Sequence, residues 1–264
     1  MITSRENVLI KKVVKLHTAA GRKKIRQYFT EGIRSVGQAL EAVAPIAEVI
    51  YSAGVFRLPG GGELMDRVFK AGLRTVEISE SLFKHVSDTE NPQPVMAVID
   101  IRDCTLDDLP EAQDLLLVIA DAIQDPGNLG TIIRTADAAG AKAVLLLKGT
   151  ADPYSPKAVR STMGSIFSIP VMVQCNTEEL FCRLRERGVR LIAASPEGGT
   201  AYWDADFRGS IAIIIGNEAN GISETAREYS DLCVALPMNG RAESLNAAVA
   251  CGILLYKALE QRLT

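Results

Sequence analysis

Apolar residues recur at helical spacing over residues 7–16, 32–44 and 62–71, and short runs of β-forming residues occupy 47–51, 75–78 and 95–99. The first hundred residues are therefore expected to alternate helix and strand. Pro92-Gln93-Pro94 sets off the last of these strands, and the stretch 103–112 is acidic, proline-containing and weakly patterned. That change of texture predicts a boundary between a first domain, 1–105, and a second, 106–264.

From residue 114 the rhythm becomes one of continuous apolar runs, each ending in a turn and leading into a helical pattern. The runs 115–120, 143–147, 191–194 and 211–215 are apolar on both faces, as strands of a parallel sheet covered by helices must be. Helices are expected after Asn128, near 156–162 and over 244–259, the last with Leu245, Val249, Ile253, Leu254 and Leu255 on an inward stripe. None of these runs approaches the roughly 18 residues needed to cross a bilayer, and the N-terminus lacks the apolar core of a secretory signal. No fixed-period repeat is visible.

Charge changes the picture at one end only. The chain carries a net charge of −3, but residues 1–34 hold nine Lys and Arg against Glu6 and Glu31 alone. Lys11, Lys12, Arg22, Lys23, Lys24 and Arg26 are the candidates for contact with phosphates, each adding salt-dependent affinity through counterion release; a solvated helix face is the other reading. The cysteines, Cys104, Cys175, Cys182, Cys233 and Cys251, are odd in number and form no C-x-x-C pair. They argue against a disulfide framework or zinc site and for a reducing cytoplasm. His17 and His85 have no partner at ligand spacing, so no metal is expected.

Three segments combine glycine turns with polar side chains at the ends of predicted strands. In the first, Asp125-Pro126-Gly127 makes a turn, Asn128 is placed to cap the following helix, Gly130 permits close approach and Arg134 follows. In the second, Gly216-Asn217-Glu218 directly follows the run 211–215, leaving backbone groups and a carboxylate at the sheet edge. The third is Leu236-Pro237-Met238-x-Gly240, then Ser244-Leu245-Asn246 opening the last helix. Read singly, each is explained by caps and turns; together they suggest a polar pocket. Neither a G-x-G-x-x-G turn nor a P-loop lysine is present, which argues against a dinucleotide or nucleoside-triphosphate enzyme.

In content and order these segments resemble the three motifs of the SpoU (TrmH-type) RNA ribose 2′-O-methyltransferases of the SPOUT superfamily. Ser4-Arg5-Glu6-Asn7, Arg26-x-x-Phe29-x-Glu31-Gly32 and Gln93-Pro94-Val95-Met96-Ala97 more loosely resemble the family's N-terminal substrate-binding domain. The resemblance implies an α/β protein: a C-terminal parallel-sheet domain with a deep trefoil knot, preceded by a smaller α/β RNA-binding domain resembling a ribosomal-protein fold. It implies S-adenosylmethionine as cofactor, held by backbone groups at Gly216, Leu236 and Leu245, and a homodimer formed through the C-terminal domain. Arg134 would act at a ribose 2′-hydroxyl, with Asn128, Glu218, Ser244 and Asn246 shaping the pocket. Large-subunit rRNA is the first expected substrate and tRNA the second; a ribosome-assembly factor that binds RNA without reacting is the alternative class.

Overall fold

Amphipathic periodicity at the N-terminus closes onto a small mixed sheet. The computed structural model describes residues 1–111, 114–195 and 199–263. Asn7 caps α1 (Val8–Leu16) by accepting the Leu9 N–H at 2.9 Å, and α1 buries Ile10, Val13 and Leu16. Next come α2 (Ala19–Ile25), β1 (Gln27–Glu31), α3 (Ile33–Glu41) and β2 (Ile46–Tyr51), then a 3₁₀ turn, Ala53–Arg57. The unit continues through α4 (Gly61–Lys70), β3 (Thr75–Glu77), α5 (Glu80–Val86) and β4 (Val95–Asp100). Strand order is β1-β4-β2-β3, with β4 antiparallel to both neighbours and β2 parallel to β3. Phe29, Ile50, Met96 and Val98 meet the inner faces of α1 and α5 in one core. Gly32 turns the chain at φ +97°, and Gln93 Oε1 accepts the Ile33 N–H at 2.9 Å, tying the start of α3 to the approach to β4.

The second unit is the parallel α/β half. From there the chain runs through β5 (Leu116–Ala120), α6 (Pro126–Ala138), β6 (Ala143–Leu147), α7 (Pro156–Ser161), β7 (Val171–Cys175), α8 (Thr177–Glu186), β8 (Arg190–Ala194) and β9 (Thr200–Ala201). Then follow β10 (Ile211–Ile215), α9 (Glu224–Tyr229), β11 (Leu232–Ala235) and α10 (Ala247–Leu263). The sheet order is β7-β6-β5-β10-β8-β11-β9 and every pairing is parallel. Every residue of β5, β6 and β10 is buried, as two covered faces require. Among the described residues no helix is long and apolar enough to cross a membrane.

The units meet in sequence between Arg102 and Asp103, but Tyr154–Phe167, with α7, belongs to the first unit. There the Tyr28 and Tyr154 rings lie 4.9 Å apart, Arg160 pairs with Asp88, and Gln38 Nε2 donates to Met163 O at 2.9 Å. Ala112, at the end of the weakly patterned stretch, lies outside the described residues.

The last helix departs from expectation in two ways. It begins at Ala247 rather than Ser244, and it turns Ala247, Ala248, Cys251, Leu254, Leu255 and Ala258 inward. Val249, placed inward by the sequence pattern, is exposed instead, as are Tyr256 and Leu263 one and two heptads on. Small residues face inward because α10 packs closely on α6: a Cβ at Gly252 would sit 3.5 Å from Thr135 Cγ2.

Candidate active site

In the seven-stranded sheet the chain moves outward from β5 through β6 to β7, then returns to build the other side, so the order reverses between β5 and β10. In open parallel sheets the crevice at such a reversal, at the carboxyl ends of the strands, is where ligands sit. Here Asp121 N–H donates to Ile215 O at 2.8 Å, and beyond that bond the two chains diverge. Buried Asp121 turns its carboxylate to the Ser223 N–H at 2.6 Å, fixing the start of α9.

The first segment enters α6 differently from expectation. Asp125, not Asn128, is the N-cap: its carboxylate accepts the Asn128 N–H at 2.8 Å, and Pro126 occupies the first helical turn, where its missing N–H costs nothing. Asn128 is thereby inside the helix with its side chain free to join the three segments. Its Nδ2 donates to Glu218 Oε1 at 2.8 Å, and its Oδ1 accepts from Asn246 Nδ2 at 2.9 Å. Asn246 in turn caps α10, its Oδ1 accepting the N–H groups of Ala248 and Val249 at 2.9 and 3.3 Å. The cap expected of Ser244 is thus performed by Asn246.

Glu218 Oε2 also accepts the Gln124 N–H at 3.3 Å. Partial burial pushes the Glu218 carboxyl up, but the hydrogen bonds from Asn128 and from backbone N–H groups outweigh it and hold the group below its ordinary range. The second segment is rigid for local reasons. Asn217 and Gly221 exchange backbone bonds of 2.8 and 2.9 Å, Asn217 Oδ1 accepts from Ala219 and Asn220, and Asn217 Nδ2 donates to Ala122 O at 2.8 Å. At Gly216 a Cβ would stand 2.2 Å from the Gly221 carbonyl carbon, so only glycine fits.

These loops enclose a cavity of about 520 Å³. Gly216, Leu236, Ser244 and Leu245 line it, as does Glu218, with Ser195, Ile215, Met238 and Glu243 among the other walls. Its walls are the residues that follow the ends of β8, β10 and β11, which is why separate sequence segments converge there. Arg134 stands apart: it is on the exposed side of α6, outside the cavity lining and without a hydrogen bond or ion pair to any described residue. Sequence reasoning placed Asn217 in the second segment without giving it a role, and passed over Asp121. The signals were present: an amide beside Gly216, and a carboxylate directly after five apolar residues.

The cations of the first unit divide. Arg22 is buried and its Nη1 donates to Leu16 O at 2.7 Å, so it ties α2 to the end of α1 and is withdrawn from the phosphate-binding set. Lys12 pairs at 2.6 Å with Glu48, a carboxylate 2% exposed, and Lys11 pairs with Glu6. Lys23, Lys24 and Arg26 remain at the exposed surface. Charge alone could not say which cations face inward.

A parallel α/β domain whose loops enclose a small-molecule cavity at the carboxyl ends of its strands is a ligand-binding domain of the open-sheet class. Residues 115–256 match the model of the SpoU rRNA methylase family and residues 7–97 that of the MRM3-like substrate binding domain. The chain belongs to the SpoU rRNA methylase family. It is 38% identical to the 23S rRNA (guanosine(2553)-2'-O)-methyltransferase RlmP of Bacillus subtilis, over 97% of each chain. It is 33% identical to the 23S rRNA (uridine(2479)-2'-O)-methyltransferase of Streptomyces viridochromogenes, over 92% of this chain and 86% of that one. Among solved structures, an AdoMet-bound rRNA methyltransferase from Sinorhizobium meliloti superposes with a TM-score of 0.88 at 32% identity, covering 100% of this chain and 98% of the other.

Proposed function

We propose that this chain methylates a ribose 2′-hydroxyl of large-subunit (23S) rRNA, using S-adenosylmethionine. The observation that carries the reading is the joining of all three segments, through Asn128, Glu218 and Asn246, beside one cavity. The residues present fit the cofactor. About 520 Å³ lies within the roughly 300–1,000 Å³ usual for small-molecule sites, and the walls mix apolar side chains with polar groups. Gly216, Leu236 and Leu245 all line the cavity, and their backbone groups are assigned to the ligand. When bound, the cofactor supplies an electrophilic methyl group on a sulfonium.

Arg134 is assigned to the acceptor ribose. A delocalised cation is suited to stabilising negative charge that develops on the 2′-oxygen, and that is the role assigned to it. Its unpaired, exposed position on α6 supports a role toward a substrate. Asn128, Glu218 and Asn246 are positioning residues that hold the loops in register, and Ser244 contributes to the cavity wall.

The substrate-binding role of residues 1–105 is supported by the family-model match over 7–97, with Lys23, Lys24 and Arg26 as phosphate contacts. Residues 106–264 carry the methyltransferase domain. Homodimerisation through that domain is supported by Val249, Tyr256 and Leu263, which form an exposed apolar stripe along α10. A trefoil knot is supported by the way the chain builds β11 beyond β8 before α10 returns to pack on β10 and α6. Five free cysteines support a reducing cytoplasm.

The two relatives are named for a guanosine and a uridine, so the acceptor base is to be found by mapping rather than by kinship. Purified protein, labelled S-adenosylmethionine and total rRNA and tRNA test the reading. Label in a single 2′-O-methyl position of 23S rRNA is expected; label in tRNA alone, or none in any RNA, would overturn it.

A further inference from the structure

The first unit carries a surface feature that the proposed chemistry leaves unused. Phe56 and Phe69 are 50% and 46% exposed, and both meet Tyr51. Tyr51 ends β2, Phe56 lies in the 3₁₀ turn that follows it, and Phe69 is in the last turn of α4. The ring centroids of Phe56 and Phe69 stand 6.0 and 6.3 Å from that of Tyr51, at interplanar angles of 89° and 78°. The core beneath is supplied by Val55, Leu64, Met65 and Val68, all buried, so the rings are not needed to fill it. Half of each ring stays in water although apolar burial is favourable. In each pair the rings meet edge to face rather than in a parallel stack, and about half of each Phe surface stays open to a further partner.

Each ring is followed directly by a cation: Arg57 after Phe56 and Lys70 after Phe69. Arg57 is 77% exposed, and its ion pair with Glu80 is loose at 3.8 Å. Glu77 lies beside Tyr51, so the patch has no strong net positive field. That balance disfavours docking of a duplex, which depends on phosphate neutralisation. It suits single-stranded RNA, because base–aromatic stacking needs a π face rather than a net charge.

We infer that Tyr51, Phe56 and Phe69 form a stacking platform for unpaired bases of the RNA substrate, with Arg57 and Lys70 meeting the adjoining phosphates. The inference rests on the rRNA reading above and identifies which part of the first unit grips an unpaired segment.

The test uses the full chain and fluorescence anisotropy with a short labelled oligouridylate and a short RNA duplex, at several salt concentrations. Phe56→Ala and Phe69→Ala should each weaken oligouridylate binding by roughly tenfold, with duplex binding unchanged. Phe56→Leu with Phe69→Leu keeps apolar bulk but removes both π faces, and should show the same loss with an unchanged melting temperature. Arg57→Gln should flatten the slope of log affinity against log salt by about one. Wild-type affinity for oligouridylate in the double Leu variant would overturn the proposal. So would equal loss on duplex and single strand, or a changed sedimentation coefficient, which would make the rings a protein–protein contact. Cofactor calorimetry and rRNA methylation are read separately: wild-type protein that stacks oligouridylate but methylates no RNA would sink the enzymatic reading and leave the platform standing.

Discussion

Replacing Gly216 by alanine adds a single methyl group where the chain comes closest to itself. That Cβ would lie 2.2 Å from the Gly221 carbonyl carbon, 2.3 Å from Ile222 N and 2.4 Å from Gly221 O. Carbon contacts settle near roughly 3.5–4.0 Å, so Gly221 must retreat by about 1.3 Å or more. The neighbours are backbone, which has no rotamer to escape into. Retreat breaks the reciprocal bonds of 2.8 and 2.9 Å between Asn217 and Gly221. At about 0.5–1.5 kcal/mol for each bond, the binding-competent loop is disfavoured by about 1–3 kcal/mol. Cofactor affinity should then fall by roughly five- to 150-fold. Isothermal titration with S-adenosylmethionine reads the effect directly. The same free energy should lower the melting temperature by about 2–12 °C, at about 2–4 °C per kcal/mol for a domain of this size. Wild-type affinity in Gly216→Ala would refute the argument, because it would mean that the Gly216–Gly221 contact does not shape the cavity.

Four further outcomes are expected. Arg134→Ala should lose turnover while keeping cofactor affinity, since Arg134 stands outside the cavity; lost affinity with normal turnover at saturation would defeat the assignment. Because hydrogen bonds depress the Glu218 pKa in the folded state, its contribution to stability is present above the ordinary carboxylate range and is lost as pH falls through the folded value. The melting difference between wild type and Glu218→Gln should accordingly be flat at neutral pH and shrink in acid, and a pH-independent difference would contradict the bonding described. Lys12→Ala should destabilise the first unit by about 1–3 kcal/mol, because buried Glu48 loses its 2.6 Å partner and keeps only a longer ion pair, 3.7 Å, to Arg74. Lys23→Ala with Lys24→Ala should instead weaken RNA binding at unchanged melting temperature; the reverse pattern in denaturation and binding assays would invert the division of cations.

Legibility in the sequence followed burial. The runs 115–120, 143–147 and 211–215 announced buried parallel strands because both faces are apolar, and the sheet edge where their loops cluster followed from that. β1, with polar residues at both ends, and α2, seven residues with Gly21 and three cations, carry little periodicity and went unread. α8 is rich in charge and was missed for the same reason. The cap of α6 was legible in principle, since Asp125 followed by Pro126 is a stronger start signal than Asn128. The inward stripe of α10 was not, because alanines and Cys251 face the core while larger apolar residues face out. Which partner each amide takes is a long-range matter: Asn128 and Asn246 are 118 residues apart, and no local pattern encodes their bond.

That bond has a consequence for the order of assembly. Asn246 is at once the residue that starts α10 and the last member of the chain of amides reaching back to Asn128 and Glu218. As the polypeptide leaves the ribosome, β5 and α6 emerge long before the residue that completes their pocket. The cavity is therefore a product of late synthesis, closed only when the C-terminal helix nucleates. Until then a nascent chain holds its first unit complete while the cavity is open; on the function proposed above, it can meet rRNA before it can modify it.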